Sequence, residues 1–426
     1  MTAIAATGAP ATPLNRTMIL ASVMLATILV SLDQTIANVA LPHMAGSVSA
    51  SQDQIAWVLT SYIVAGAICT PITGWLADRL GRKRLLITAV VGFIGASALC
   101  GAAQNLPEIV LFRAIQGVFG APLIPMSQAL VLDIYTAKER ALAMSFWAVG
   151  VMVAPIVGPV LGGWLTDALS WRWVFYINIP VGALCVLGIL TFVPDTVRDL
   201  NRRLDLVGFA LLSVAIASLQ LVFDRGQSQD WFSSPEIVAE AAIAFVAFWF
   251  ALVHSFTSKK PFLPLSIFTN RNFATAAVLG VMVGVTVLSV TALIPTMLQT
   301  LYGYPVFEAG LLSAPRGFGS IASMLLVGRL IGVIDTRALL MFGMSVFALA
   351  FYQLSTFGLD TSSNTIVVNG LIQGFGMGFV FMPLNTMAFA TIPPTKRGDA
   401  TSFYTLMRNL GGSAGISIMF AMLVNF

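Results

Sequence analysis

Apolar stretches long enough to cross a lipid bilayer, roughly 17 to 25 residues each, recur from Thr17 to the C-terminus and leave no room for an independent soluble domain. Such a chain must satisfy its backbone within helices, so the expected fold is an all-α polytopic membrane protein. Thirteen spans are predicted, near 17–39, 53–76, 84–104, 107–132, 141–165, 173–194, 205–223, 236–256, 273–302, 309–332, 337–357, 365–391 and 400–425. Composition agrees, with 58% hydrophobic and 9% charged residues against about 25% charged in soluble proteins. The uncharged start, MTAIAATGAPATPLN, has no basic region of several residues and no small-residue cleavage site. The first apolar run is therefore expected to be a retained span behind a tail of residues 1–16.

The net charge of +4 matters less than its distribution. Seventeen of the 22 Lys and Arg lie in the tail and the even-numbered connections, Lys138 among them. Only Arg172 and Arg225 lie in odd-numbered ones, and Arg113, Arg316 and Arg408 fall inside spans. The positive-inside rule then places the N-terminus in the cytoplasm. No nucleic-acid partner is expected. Cys69, Cys100 and Cys185 are scattered without CxxC spacing, and His43 and His254 are far apart, so neither a metal site nor a disulfide framework is expected.

The chain repeats itself. Ile115-Gln116-Gly117 returns as Ile372-Gln373-Gly374, and at the same offset of 257 Arg140, Ala143, Ser145 and Phe146 meet Arg397, Ala400, Ser402 and Phe403. At an offset of 254, Gly74, Leu85 and Leu86 meet Gly328, Leu339 and Leu340. Spans 2–5 thus correspond to spans 10–13, with spans 7 and 8 inserted between the repeats. Parallel six-span repeats are the plan of two-bundle secondary transporters, whose substrate sits between the bundles near mid-membrane. The expected division is an N-terminal bundle at 17–194, an inserted pair with its loops at 195–271 and a C-terminal bundle at 272–426. The second repeat stops one span short, and the repeat logic predicts a fourteenth helix.

Four stretches carry candidate chemistry. Between spans 2 and 3 the chain reads GWLADRLGRKRL, with Gly74 allowing close helix contact and Asp78, Arg79, Gly81, Arg82 and Lys83 able to form ion pairs that differ between two bundle arrangements. The plainer reading is that its cations only fix topology. Span 4 carries RAIQGVFGA, where Arg113 must face protein or water. It either snorkels to the outer surface or lies beside a proton pathway. In APIVGPVLGG of span 5, Gly158, Pro159, Gly162 and Gly163 suit a tightly packed helix or a kinked gating element. In WRWVFYINIPVG, interfacial anchoring accounts for Trp171 and Trp173 but not for Asn178, Pro180 and Gly182.

The loop matches the signature G-x-x-x-D-R-x-G-R-[RK] of the major facilitator superfamily. Together with LDQTIANVALP, the span 4 and 5 motifs, WRWVFYINIP, APRGFGS and MRNLGGSAG, the chain resembles the fourteen-span drug:proton antiporters of the EmrB/QacA type over essentially its whole length. Ser145 and Ala154 depart from the glycines of the fullest span 5 motif. The resemblance implies a major facilitator fold of two bundles and alternating access in the inner membrane. It also implies efflux of lipophilic, often cationic compounds against proton entry, driven by the proton gradient with no cofactor. It allows a periplasmic adaptor and an outer-membrane channel as further partners.

Asp33, in LVSLDQTIANVALP, is the acidic residue placed well inside a span of the first bundle. In a bilayer interior a carboxylate holds a proton unless water, a cation or an arginine stands beside it. Asp33 is therefore expected to couple protons or recognise substrate, with Arg113 and Asn38 as candidate partners. The plainer alternative is a structural partnership with Asn38 or an arginine. Tyr62, Gln116, Gln299, Arg316, Asn385 and Arg408 are candidate cavity residues. Because Arg113, Arg316 and Arg408 outnumber Asp33, export of an anionic or zwitterionic metabolite is a second reading. A membrane enzyme or sensor is disfavoured by the absence of triad spacing, of a phosphate-binding loop and of a soluble output domain.

Overall fold

A computed structural model of the protein describes residues 13–136, 139–196, 198–200, 202–263 and 265–424. Lys138 and most of the tail lie outside them. The described chain is helical throughout, with the thirteen expected rods in order: Pro13–Ser47, Trp57–Cys69 continued by Thr73–Leu80, Arg82–Ala102, Leu106–Gly120 continued by Leu123–Ile134, Arg140–Ala168, Asn178–Phe192 behind the turn Trp173–Tyr176, Leu206–Arg225, Pro235–Thr257, Arg271–Thr300, Val306–Leu330, Thr336–Ser355, Ser363–Ala390 and Arg397–Val424. Eleven are long and apolar enough to cross a membrane, twelve if the bent second span is counted. The thirteenth, Arg397–Val424, carries Arg397, Asp399 and Arg408 and is not among them.

Local chemistry sets the ends and breaks. Asn105 caps the amide of Glu108, with Pro107 in the first turn of span 4, and Asp205, Asn270, Asp335 and Ser362 cap spans 7, 9, 11 and 12 in the same way. Span 2 bends by 59° between Cys69 and Thr73, where Pro71 interrupts the helical ladder. It ends at Gly81, whose φ of +84° and ψ of 145° suit only glycine and turn the chain straight into span 3. A Cβ there would also lie 3.3 Å from Thr196. Gly81→Ala is expected to cost about 1–3 kcal/mol, read as a lower unfolding temperature of the purified protein.

Span 1 packs on spans 5 and 6, span 3 on spans 4 and 6, span 10 on spans 12 and 5, and span 9 on span 13. Glycines set these distances: Gly117 and Gly374 press against the backbone carbonyls of Tyr62 and Arg316, respectively. Each glycine belongs to the repeated Ile-Gln-Gly, and Tyr62 and Arg316 are separated by the offset of 254, so the repeat seen in sequence is a repeat in space. Gln128 and Asn385 differ by 257 and hydrogen-bond to each other at 2.9 Å. Equivalent residues that touch must lie where the axis relating the repeats passes. The exterior is apolar, as on span 8 with Phe245, Trp249 and Phe256 exposed, which suits lipid rather than water.

Candidate functional site: a buried ion pair behind a central cleft

Asp33 and Arg113 are both fully buried. Arg113 donates from one terminal nitrogen to Asp33 Oδ2 at 2.6 Å and to Gln116 Oε1 at 2.7 Å, and from Nε to the Val58 carbonyl at 3.2 Å. The other carboxylate oxygen, Oδ1, accepts from Gln116 Nε2 at 2.9 Å and from Asn178 Nδ2 at 2.7 Å. Asn178 also donates to Ser97 Oγ at 2.9 Å. Five spans thus close on one carboxylate. The guanidinium is covered by the Tyr62 ring, 4.2 Å away, and flanked by Phe175 at 5.7 Å, so the charge is held by a cation–π face as well as by Asp33. The snorkelling alternative for Arg113 is excluded by this burial.

Asn38 is not part of the cluster. Five residues along a helix rotate a side chain about 140° away, and Asn38 is exposed; Asn178 holds the carboxylate in its place.

Next to the pair, a small cleft lies between spans 1, 2 and 4 on one side and spans 7 and 13 on the other. Gln34, Tyr62, Gln220, Asn409 and Ser413 line it. Asp33 does not, because it is one residue from Gln34 and faces into the bundle. Tyr62 stands between, lining the cleft beside Gln34 while its ring covers the Arg113 guanidinium. Of the other candidates, Gln116 belongs to the ion-pair cluster. Asn385 is buried against Gln128 at the bundle junction, and Gln299 lines neither cavity described. Arg316 donates to Thr291 Oγ1 at 3.0 Å, and Arg408 lies 5.6 Å from the Phe381 ring. Neither has a carboxylate partner among the described residues.

The bundles join at the end that carries the signature loop. Gly74 packs so closely on the first turn of span 13 that a Cβ would strike the Asp399 side chain. Arg202, from the connection between spans 6 and 7, bridges Asp78 and Asp399, donating to both oxygens of the latter at 3.0 and 2.8 Å. Arg82 pairs with Asp133, which also accepts from Arg397 at 2.6 Å. Lys83 donates to the Leu190 carbonyl, and Arg79 lies over Trp75. Asp133, Arg202 and Asp399 had no motif to mark them. Arg202 counted only as a topology charge, although it fastens one bundle to the other.

Arg202→Gln removes the bridging cation and leaves two carboxylates facing each other. The partners are partly exposed, so about 1 kcal/mol is expected after screening, or about a fivefold gain in the open-to-closed ratio. A cysteine replacing the buried Asn385 should react with a thiol reagent correspondingly faster.

In span 5, Gly158 abuts Thr35 and Gly162 abuts Ile36, while Pro159 faces Gly310 of span 10, where an added Cβ would lie 3.5 Å from the proline ring. Gly163 faces open space. The helix runs unbroken from Arg140 to Ala168 between both neighbours.

The family model of the Major Facilitator Superfamily matches residues 23–416. The chain belongs to this superfamily. Within it, the chain is 40% identical over 403 residues to the multidrug export protein EmrB of Escherichia coli K12, covering 94% of this chain and 79% of the relative. It is 38% identical over 404 residues to the fatty acid resistance protein FarB of Neisseria gonorrhoeae, covering 93% and 79%. Among solved structures, the human organic anion transporter MFSD10 shares the fold with a TM-score of 0.68 at 16% identity, covering 96% of this chain and 93% of that one. The proton:xylose symporter XylE does so at 0.66 and 15%, covering 96% and 89%. This superfamily member is therefore a multi-pass membrane protein of the EmrB group, with the family and fold of a transporter rather than an enzyme.

Proposed function

We propose that the protein is a proton-coupled multidrug efflux transporter of the inner membrane, with its N-terminus and the signature-loop end in the cytoplasm and no cofactor beyond the proton gradient. The observation that carries this reading is the Asp33–Arg113 pair sealed behind Tyr62 at the edge of the central cleft. Protonating Asp33 would leave a buried guanidinium without its counter-charge, which costs several kcal/mol unless the surroundings rearrange. A proton on Asp33 is thus tied to the arrangement of five helices, and Tyr62, which covers Arg113 and also lines the cleft, carries that arrangement to a substrate there. Substrate and proton then influence one another without sharing an atom. The moving units are the bundles at 17–194 and 272–426, with the insert at 195–271 riding between them.

The test is transport of a lipophilic fluorescent compound into proteoliposomes under an imposed pH gradient. Accumulation that collapses with a protonophore supports the reading; equal accumulation without a gradient contradicts it.

On substrate charge, direct recognition of a cationic compound by Asp33 is disfavoured, since Arg113 already pairs with that carboxylate and the Tyr62 ring covers the guanidinium. Arg316 and Arg408, without carboxylate partners among the described residues, favour acidic substrates. The relative named for fatty acid resistance points the same way.

A further inference from the structure

Span 7, of the inserted pair, ends on a carboxylate that the Asp33–Arg113 pair does not use. Leu206 starts the helix at the signature-loop end, a few residues after the bridging Arg202, and Asp224 lies about 27 Å further along it. Asp224 therefore stands toward the opposite face. Its Oδ1 accepts from Gln220 Nε2 at 2.9 Å, whereas Oδ2 is buried with no hydrogen-bond partner among the described residues. No cation pairs with it among those residues either. The neighbouring Arg225 is turned to span 8, where it donates to Glu236 at 2.6 Å and Glu240 at 3.1 Å, with its guanidinium 5.3 Å from the Trp57 ring.

Asp224 reaches the cleft through Gln220. That residue is buried, and the same Nε2 donates to Ser413 Oγ of span 13 at 2.8 Å. Gln220 and Ser413 both line the cleft. One turn further along span 13, Ser417 donates to the Phe223 carbonyl. The wall between spans 7 and 13 is thus closed by two polar contacts, one of which shares its amide with Asp224.

A carboxyl held here without a counter-charge is stable as the neutral acid, because burying the bare anion costs far more. On ionising, the anion would have to reach water, and the end of span 7 would carry Gln220 away from Ser413. Of the elements packed on span 7, span 8 brings Glu236 and Glu240, both engaged by Arg225, and His254, paired with Asp205 at the other end. Span 2 brings Tyr62, which covers Arg113, and Cys69. Span 13 brings Arg397 and Asp399 at the signature-loop end and Arg408 at the Phe381 ring, and the turn Gln227–Gln229 brings none.

We propose that Asp224 is a second proton-binding residue, filled from the face opposite the signature loop, whose protonation closes the wall between spans 7 and 13 through Gln220. The proton passes from water at that face onto Oδ2, forming one O–H bond, and returns to water when the anion swings out. Asp33 answers to substrate, and Asp224 to the pH at that face. The inserted pair thereby becomes a proton-controlled flank of the cleft. The assignment deepens the efflux reading and rests on it only for its role in transport.

Infrared difference spectra of the purified protein in nanodiscs, taken as the pH is raised, test the proton directly. The unaltered protein should show a carboxylic acid carbonyl band that is absent from Asp224→Asn and present in Asp33→Asn. Asn409→Cys, at an exposed position lining the cleft, reports the wall. At high pH this cysteine should react with a thiol reagent about fivefold faster beside Asp224 than beside Asp224→Asn, a modest coupling between two sites, and at low pH equally fast. Comparing the two proteins at one pH cancels the ionisation of the cysteine itself. Asp360→Asn, which removes an exposed acid elsewhere, should change neither readout. An unchanged band in Asp224→Asn or equal rates at high pH overturns the proposal. Failure of Asp224→Asn to fold overturns it too, since asparagine imitates the neutral side chain. Absence of gradient-driven transport from the unaltered protein would overturn the efflux reading and leave this one standing.

Discussion

Asp33→Asn is expected to destabilise the protein by about 3–5 kcal/mol, because it strands the Arg113 guanidinium without a counter-charge among fully buried neighbours. Asparagine keeps the shape and one acceptor, so the loss is electrostatic rather than steric. Arg113→Gln should cost a comparable amount by leaving the carboxylate unpaired. The double variant, Asp33→Asn with Arg113→Gln, should recover much of the loss, since two neutral amides can hydrogen-bond to each other, to Gln116 and to Asn178. Thermal unfolding of all four proteins gives the coupling directly. Additive losses would mean that Asp33 and Arg113 do not act as a pair.

Gly74→Val is expected to have the largest effect on the transport cycle. The Cβ position at Gly74 already collides with the Asp399 carboxylate and lies 2.9 Å from the Asp399 amide nitrogen. The amide belongs to the first turn of span 13 and cannot swing aside as a flexible side chain could. The bundles would have to separate at this end, breaking the Arg202 bridge and the Gln128–Asn385 contact with it. Transport should fall to background while substrate still binds, because the cleft residues are untouched. A cysteine at Asn385 should become freely reactive. Gly95→Ala, at a helix position with nothing within 4 Å, should change neither.

Much of the fold was legible because lipid imposes simple rules on length and polarity. The thirteenth span was placed from its apolar run, and the repeat, which matches spans 4 and 5 to spans 12 and 13, gave an independent check on it. The same repeat, read in space, exposed the correspondence of Arg316 with Tyr62. Partners were harder to read. Asn38 was favoured by nearness in sequence, but helix geometry turns it away, and the residues that hold Asp33 come from spans 3, 4 and 6. Arg202 was hidden in a charge count: a cation in a loop looks alike whether it fixes topology or fastens two bundles.

The central claim is that Asp33 exchanges a proton in response to substrate in the cleft. Substrate-induced proton release from the purified protein, measured at several pH values beside Asp33→Asn and the double variant with Arg113→Gln, tests it most directly. Release is expected from the unaltered protein and from neither variant, the double variant showing that the loss is not one of folding. Release of the same size from a folded Asp33→Asn protein would contradict it.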